Sequence, residues 1–220
     1  GSGKGSYEVK EYLAQGRIYQ WVGEGRGSFE PYRELVAPTR KEMVDLKLSM
    51  KTGNHSRAYI ESAFSNQDLN LFSELDNGEN QGYAFRVGYG LENKPLSSLK
   101  GYQLNFNADV EYLNKDFKAI DRFRRVEFDR DWGIYSTDTV ATSDLVIRSG
   151  VSLAADQQNK FSYAVNLRHK LEHLAGIQHT AELNKSLSKL QINLQGFLMN
   201  SELSYGLANW RKLRSEIYLK

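Results

Sequence analysis

From Met43 almost to the end of the chain, apolar and polar residues alternate one by one, and this period of two constrains the fold more tightly than any other feature. In residues 43–50, Val44, Leu46, Leu48 and Met50 alternate with Asp45, Lys47 and Ser49. In residues 57–65, Ala58, Ile60 and Phe64 oppose Arg57, Tyr59 and Glu61. In residues 83–91, Tyr83, Phe85, Val87, Tyr89 and Leu91 oppose Ala84, Arg86, Gly88 and Gly90. The clearest run, 102–112, sets Tyr102, Leu104, Phe106, Ala108, Val110 and Tyr112 against Gln103, Asn105, Asn107, Asp109 and Glu111. Runs at 145–155, 161–169, 177–183 and 190–198 continue the rhythm. Successive side chains of a strand point to opposite faces, so each run predicts a strand with one apolar and one polar face.

Turn signals separate the runs at Thr52-Gly-Asn54, Asp76-Asn-Gly78, Glu92-Asn-Lys-Pro95, Asp156-Gln-Gln-Asn159 and Asn184-Lys-Ser186. Links this short suit hairpins, which predicts an all-β antiparallel meander of about eight to ten long strands. No amphipathic helix stands out; 95–100 and 189–196 are the places one could hide, and the second alternates too well. The boundaries read as a Gly-rich, extended segment over 1–40, followed by an antiparallel strand region over 41–220. The first segment holds a short repeat, G-x-G-basic-G-S-aromatic-E, at 1–8 and again at 23–30, with a strand expected at 17–22 between the copies. A phosphate-cradling loop would need a strand before the glycines and a helix after them, so the copies read as structural turns.

Composition removes several function classes. With 29 basic and 27 acidic residues mixed along the chain, no cationic stripe marks a nucleic-acid partner. The absence of cysteine excludes disulfide scaffolds, thiol catalysis and Cys-ligated zinc. The opening Gly1-Ser-Gly-Lys-Gly-Ser6 does not read as a secretory leader, so the expectation is a leader removed or an internal fragment. No apolar stretch is long enough for a membrane-spanning helix, but spanning strands leave no such trace.

The runs are about 9–11 residues long, enough to cross a bilayer at a tilt. The apolar face of the first four carries no charge, and Tyr83, Tyr102 and Tyr112 fall at or near run ends, where interfacial aromatics sit. This favours an outer-membrane-type β-barrel or part of one; a soluble β-sandwich or an extended sheet would alternate in the same way. On the barrel reading Tyr83, Phe85, Val87, Tyr89, Tyr102, Leu104, Phe106, Val110 and Tyr112 face lipid, and on the soluble reading a core. Arg57, Arg86, Gln103, Asp109 and Glu111 face a lumen or solvent.

Three stretches carry a resemblance. Gly23-Glu-Gly-Arg-Gly-Ser-Phe-Glu-Pro-Tyr-Arg-Glu-Leu-Val-Ala-Pro38 resembles the large β-rich outer-membrane proteins of Bacteroidota-type bacteria. Residues 72–86 resemble their acidic turn before a strand, and 115–132 their charged loop ending in an Asp-Trp pair. The likeness covers roughly the first 135 residues; beyond them only the strand rhythm persists. It implies an envelope location, outer-membrane lipid and other envelope proteins as partners, and no enzymatic role; this chain departs by being far shorter.

No constellation of catalytic residues is expected. The loop 76–80 offers oxygen ligands for calcium but lacks the D-x-D-x-D-G spacing. His169 and His173 share a strand face yet lie about 13 Å apart, too far to hold one ion, and only a cross-strand approach of His179 to His173 would suggest a metal. Residues 115–131 hold eleven interleaved charges around Phe117, Phe123 and Phe128, as expected of a salt-bridged loop or lumen network rather than an acid–base pair; a strand over 123–128 is also allowed. Neither a cofactor nor a metal is expected. A soluble periplasmic or surface module would instead use exposed aromatics such as Trp21 and Tyr32 to grip a glycan or peptide.

Overall fold

The computed structural model describes residues 5–31, 36–73, 75, 77–135 and 141–219. The chain divides into two compact units, Gly1–Pro38 and Thr39–Lys220. In the first, β1 (Tyr7–Leu13) and β2 (Gly16–Trp21) form a hairpin. The two copies of the repeat do more than turn: they clasp one another. Gly5 and Gly27 exchange backbone hydrogen bonds of 2.8 and 2.6 Å, and Tyr7 and Phe29 exchange a pair at 2.9 Å. Ser6 donates to Glu30 and Ser28 to Glu8, both at 2.8 Å, so equivalent positions perform equivalent tasks. A Cβ on Gly5 would stand 2.3 Å from the Phe29 carbonyl oxygen, and one on Gly27 2.4 Å from that of Tyr7, so only glycine allows the approach. The first four residues of the leading copy, and Tyr32, lie outside the described residues.

The second unit is one antiparallel sheet of nine strands in sequence order. These are β3 (Arg40–Gly53), β4 (Ser56–Asp68), β5 (Gln81–Pro95), β6 (Gln103–Leu113), β7 (Asp144–Ala154), β8 (Lys160–Lys170), β9 (Leu174–Ser186), β10 (Leu190–Leu203) and β11 (Gly206–Leu219). The sheet is open, since β3 and β11 are its edges and do not pair with each other. Links 69–80 and 114–143 leave one end of the sheet, here called the loop end. The links 54–55, 96–102, 155–159 and 187–189 leave the other, the turn end. No helix among the described residues is long and apolar enough to cross a membrane, which says nothing about strands.

Several expected boundaries move. The signal Glu92-Asn-Lys-Pro95 does not turn the chain: β5 runs through it with an irregularity after Leu91 and Asn93 at φ 51, and the chain turns at 96–102. Tyr102 consequently precedes β6 instead of opening it. Asn184-Lys-Ser186 likewise belongs to β9, because pairing with β10 continues to Ser186 opposite Gln191. Residues 123–128 form no strand.

Register assigns the faces. Val87 stands opposite Ile60 and Val110, and Val110 opposite Ile147, so the apolar positions of neighbouring strands fall on one side. That side stays open: Val87 is 46% exposed and Phe85 40%. Tyr83, Tyr89 and Val110 are exposed as well, and Leu104, Phe106 and Tyr112 are half-buried. The buried apolar cluster lies on the opposite, polar face at the loop end, where Trp132, Ile134, Leu174 and Leu203 pack together against Phe128 and Ala208.

Candidate functional site

On the polar face the strand register lines up charges of alternating sign. Glu111 of β6 sits opposite Arg86 of β5, and Asp109 sits opposite Arg148 of β7. Arg86 donates to Asp109 through Nε at 3.1 Å and Nη2 at 3.0 Å. Arg148 bridges two carboxylates, donating to Asp109 at 2.8 Å and to Glu111 at 3.0 Å. On β8, Arg168 donates to Asp144 of β7 through Nε at 3.1 Å and Nη2 at 2.8 Å. Forked guanidinium-to-carboxylate contacts of this kind fix geometry as well as charge. Arg168 is only 2% exposed and Asp144 5%, so each depends on the other to offset lost hydration.

Two members come from outside the strands. Segment 114–135 folds back from the loop end and straps the polar face. Its Arg124 donates to Glu111 at 3.0 Å and to Asp144 at 2.6 Å, and its Asp129 accepts from Arg168 at 2.6 Å. Phe128 lies between two cations, with the guanidinium carbons of Arg124 and Arg168 each 4.4 Å from its ring centroid. The strap is seated along its length. The Lys118 N–H donates to Ser65 of β4 at 3.0 Å, and Gln178 of β9 donates to the Asp131 carbonyl at 2.7 Å. Tyr205 donates to the Gly133 carbonyl at 3.0 Å. Where the strap crosses β5 and β9 the strands carry glycine. A Cβ on Gly82 would lie 2.2 Å from the Phe117 nitrogen, and one on Gly176 2.9 Å from the Trp132 ring.

Asp109, Glu111 and Asp144 are thus each held by two arginines, which engages the carboxylate lone pairs that a general base would use. Of the residues singled out in the sequence, Arg86, Asp109 and Glu111 are brought together here. Arg57 lies on the same face opposite Lys51 and Gly90, and Gln103 at the turn end opposite Pro95 and Ala154. Sequence reasoning passed over Arg148, Arg168 and Asp144, and did not join Arg124 to Glu111 or Asp144. The polar parity of β7 and β8 already held the first three, and glycines in strand interiors were the available sign that backbone approaches there.

The histidines are dispersed. His173 sits in the link after β8, not on a strand. His169 and His179 lie on the apolar face, His179 accepting from or donating to the Tyr163 hydroxyl at 2.7 Å. Among the described residues no three His, Asp or Glu side chains group as a metal would require. Asp76 of the loop 76–80 lies outside the described residues, and Asn77–Glu79 is a single 3₁₀ turn. Comparison with protein-family models, with curated proteins and with solved structures returns no match.

Proposed function

We propose that this chain is a section of an outer-membrane β-barrel, a structural or transport-related and non-enzymatic component of the bacterial envelope. Its apolar face meets lipid, and its polar face and strap meet water. One observation carries the reading: the sheet buries Asp109, Glu111, Asp144 and Arg168 on one face and leaves Val87, Phe85, Tyr83 and Leu167 open on the other. Water penalises that arrangement by roughly 25 cal/mol for each Å² of apolar surface left wet, whereas hydrocarbon removes the penalty.

Further features agree. The strands run 11 to 15 residues against a mean of about 5–6 in globular proteins, and a tilted strand of about 9–11 spans a bilayer. On the apolar side Tyr112 packs against Phe85 (centroids 5.2 Å apart) and Tyr83 (6.1 Å) near the loop end, as an interfacial aromatic group would. The alternation of nine strands leaves β3 and β11 running the same way. An all-antiparallel closure therefore takes an odd number of further strands between them, which favours a section of a larger barrel. The partners this implies are outer-membrane lipid and other envelope proteins.

A second reading, a periplasmic or surface module for glycan or peptide, draws on Trp21 of β2, which is 63% exposed. Fractionation separates the two. The barrel section should sediment with membranes, require detergent, and migrate faster on a gel unheated than boiled. A chain that stays in the soluble fraction and shows no heat shift removes the membrane reading.

A further inference from the structure

Towards the turn end, the polar face changes character across β9, β10 and β11. Asn184, Asn193 and Glu216 stand side by side in one cross-strand row, and Gln195 stands beside Arg214 in the next. With Gln191 they line a trough of about 300 Å³. Its two charges satisfy each other, since Arg214 Nε donates to Glu216 at 2.8 Å and the Tyr218 hydroxyl donates to the other Glu216 oxygen at 2.9 Å. Among the described residues neither Gln191 nor Gln195 has a side-chain hydrogen-bond partner.

Of its four amides Gln191 and Gln195 are therefore free, whereas Asn184 donates to the Gln157 carbonyl at 3.4 Å and Asn193 hydrogen-bonds Glu216. Each free amide offers two donors and an acceptor, the same dual capacity as a chain of sugar hydroxyls. Lys160 beside Asn184 and Glu182 beside Gln195 flank the trough with opposite charges, so lining and flanks together carry no net charge to select an anion or a cation. Asn is disfavoured in strands, so two of them at adjacent interior positions do not follow from strand formation itself. Trp210 and Tyr218 project on the same face of β11, 52% and 51% exposed. Tyr218 adjoins the trough through its hydroxyl on Glu216, and Trp210 stands opposite Met199, four residues beyond Arg214 and about 27 Å from Tyr218 at the usual rise per residue. Flat, wet aromatic rings of this kind stack on the C–H faces of sugars while keeping their polar tips hydrated.

We infer that the trough between β9 and β11 binds an uncharged oligosaccharide, its hydroxyls on the amides and its rings against Trp210 and Tyr218. The inference deepens the proposed function by naming a ligand class for the water-facing side, and it needs that face to be wet but not the sheet to be in a membrane.

The test titrates maltohexaose and xylohexaose into the purified full chain, in detergent if it requires it, following tryptophan fluorescence and saturation transfer to the sugar by NMR. Hexagalacturonate and an uncharged peptide serve as counterparts. The neutral sugars should bind and the counterparts should not compete. Asn193→Leu and Gln195→Leu should each weaken binding about tenfold, as expected when one hydrogen-bonding partner is lost. Trp210→Ala should abolish the fluorescence change, and Trp21→Ala should leave binding intact. Equal or tighter binding of hexagalacturonate overturns the inference, as does neutral-sugar binding unaffected in both leucine variants with sheet content retained by circular dichroism. If a variant does not fold, the wild-type chain decides: no saturation transfer to either neutral sugar overturns the inference. Sugar binding by a chain that stays soluble removes the membrane reading alone, whereas membrane partition without sugar binding removes this inference alone.

Discussion

On one face of the nine-stranded sheet Arg168, Asp144 and Asp109 lie beneath other side chains, while through the sheet Val87, Phe85 and Leu167 stand in the open. A water-soluble sheet does the opposite, enclosing its apolar residues and wetting its charges. What encloses the polar face is the strap, whose Arg124 and Asp129 complete the ion pairs that the strands begin. The polar face supplies its own partners within the chain, whereas the apolar face leaves a demand that only another medium or molecule meets. The difference teaches that burial here follows the available partners rather than hydrophobicity. The two faces should therefore respond to substitution in opposite ways.

The largest effect is expected from removing a buried charge. Arg168→Ala leaves Asp144 with Arg124 alone and strips Phe128 of one cation, and breaking a buried pair in this manner costs about 3–5 kcal/mol. Replacing both partners, as Arg168→Met with Asp144→Leu, should recover much of that loss, because no charge is then stranded. Urea unfolding of the single and double variants measures both. A single variant as stable as the parent would mean that water already reaches the ladder and that the contrast between the faces is false.

The next effect in size comes from charging the other face. Val87→Arg should cost about 2–4 kcal/mol in lipid vesicles, where mid-bilayer Arg is penalised. Asn107→Arg, one residue type on the wet side of the adjacent strand, should stay within about 0.5 kcal/mol, as ordinary surface substitutions do. The comparison is sharpest when both are measured in vesicles of one composition. Equal tolerance of the two variants would remove lipid from the account of the apolar face.

The faces themselves were legible in the sequence because period two is a local property: Val87 and Arg86 declare opposite sides without reference to any partner. Strand ends were less legible, since Glu92–Pro95 and Asn184–Ser186 carry turn residues that pairing with the neighbouring strand overrides. The strap was not legible. Its contacts join Lys118 to Ser65 and Asp131 to Gln178, far apart in sequence, and the alternation read within it, over 123–128, forms no strand. The candidate site therefore divides in the same way: Arg86, Asp109 and Glu111 follow from strand parity, whereas Arg124 and Asp129 acquire a place only once the strap has folded back. In the first unit the repeat was visible but its pairing was not, because two like motifs can equally well sit apart.

The smallest effect falls in the turn 155–159, away from both the ion-pair ladder and Val87, and so serves as a baseline for both. Asp156 Oδ1 accepts the backbone N–H of Gln158 and that of Asn159, both at 2.7 Å, and the Asn159 side-chain amide reaches Oδ1 at 3.2 Å and Oδ2 at 3.1 Å. The Asn159 amide first, and then these backbone donors, hold the Asp156 carboxyl below its ordinary value. A group depressed in the folded state contributes stability that is present above its unfolded pKa, about 3.9, and lost as pH falls through the lower folded value. The amide shifts of Gln158 and Asn159 should therefore titrate together with a midpoint below about 3.9, the unfolded reference. Asp156→Ala should flatten that titration while leaving the shifts of Val87 and Arg168 where they were, since both lie in strand interiors and the turn's side-chain links to the sheet run to Asn184 and Ser186 instead. A midpoint at or above the ordinary value would show that these hydrogen bonds do not favour the charged carboxylate. Movement of Val87 or Arg168 with the turn would show that acid acts on the sheet as a whole and that its two faces cannot be probed separately.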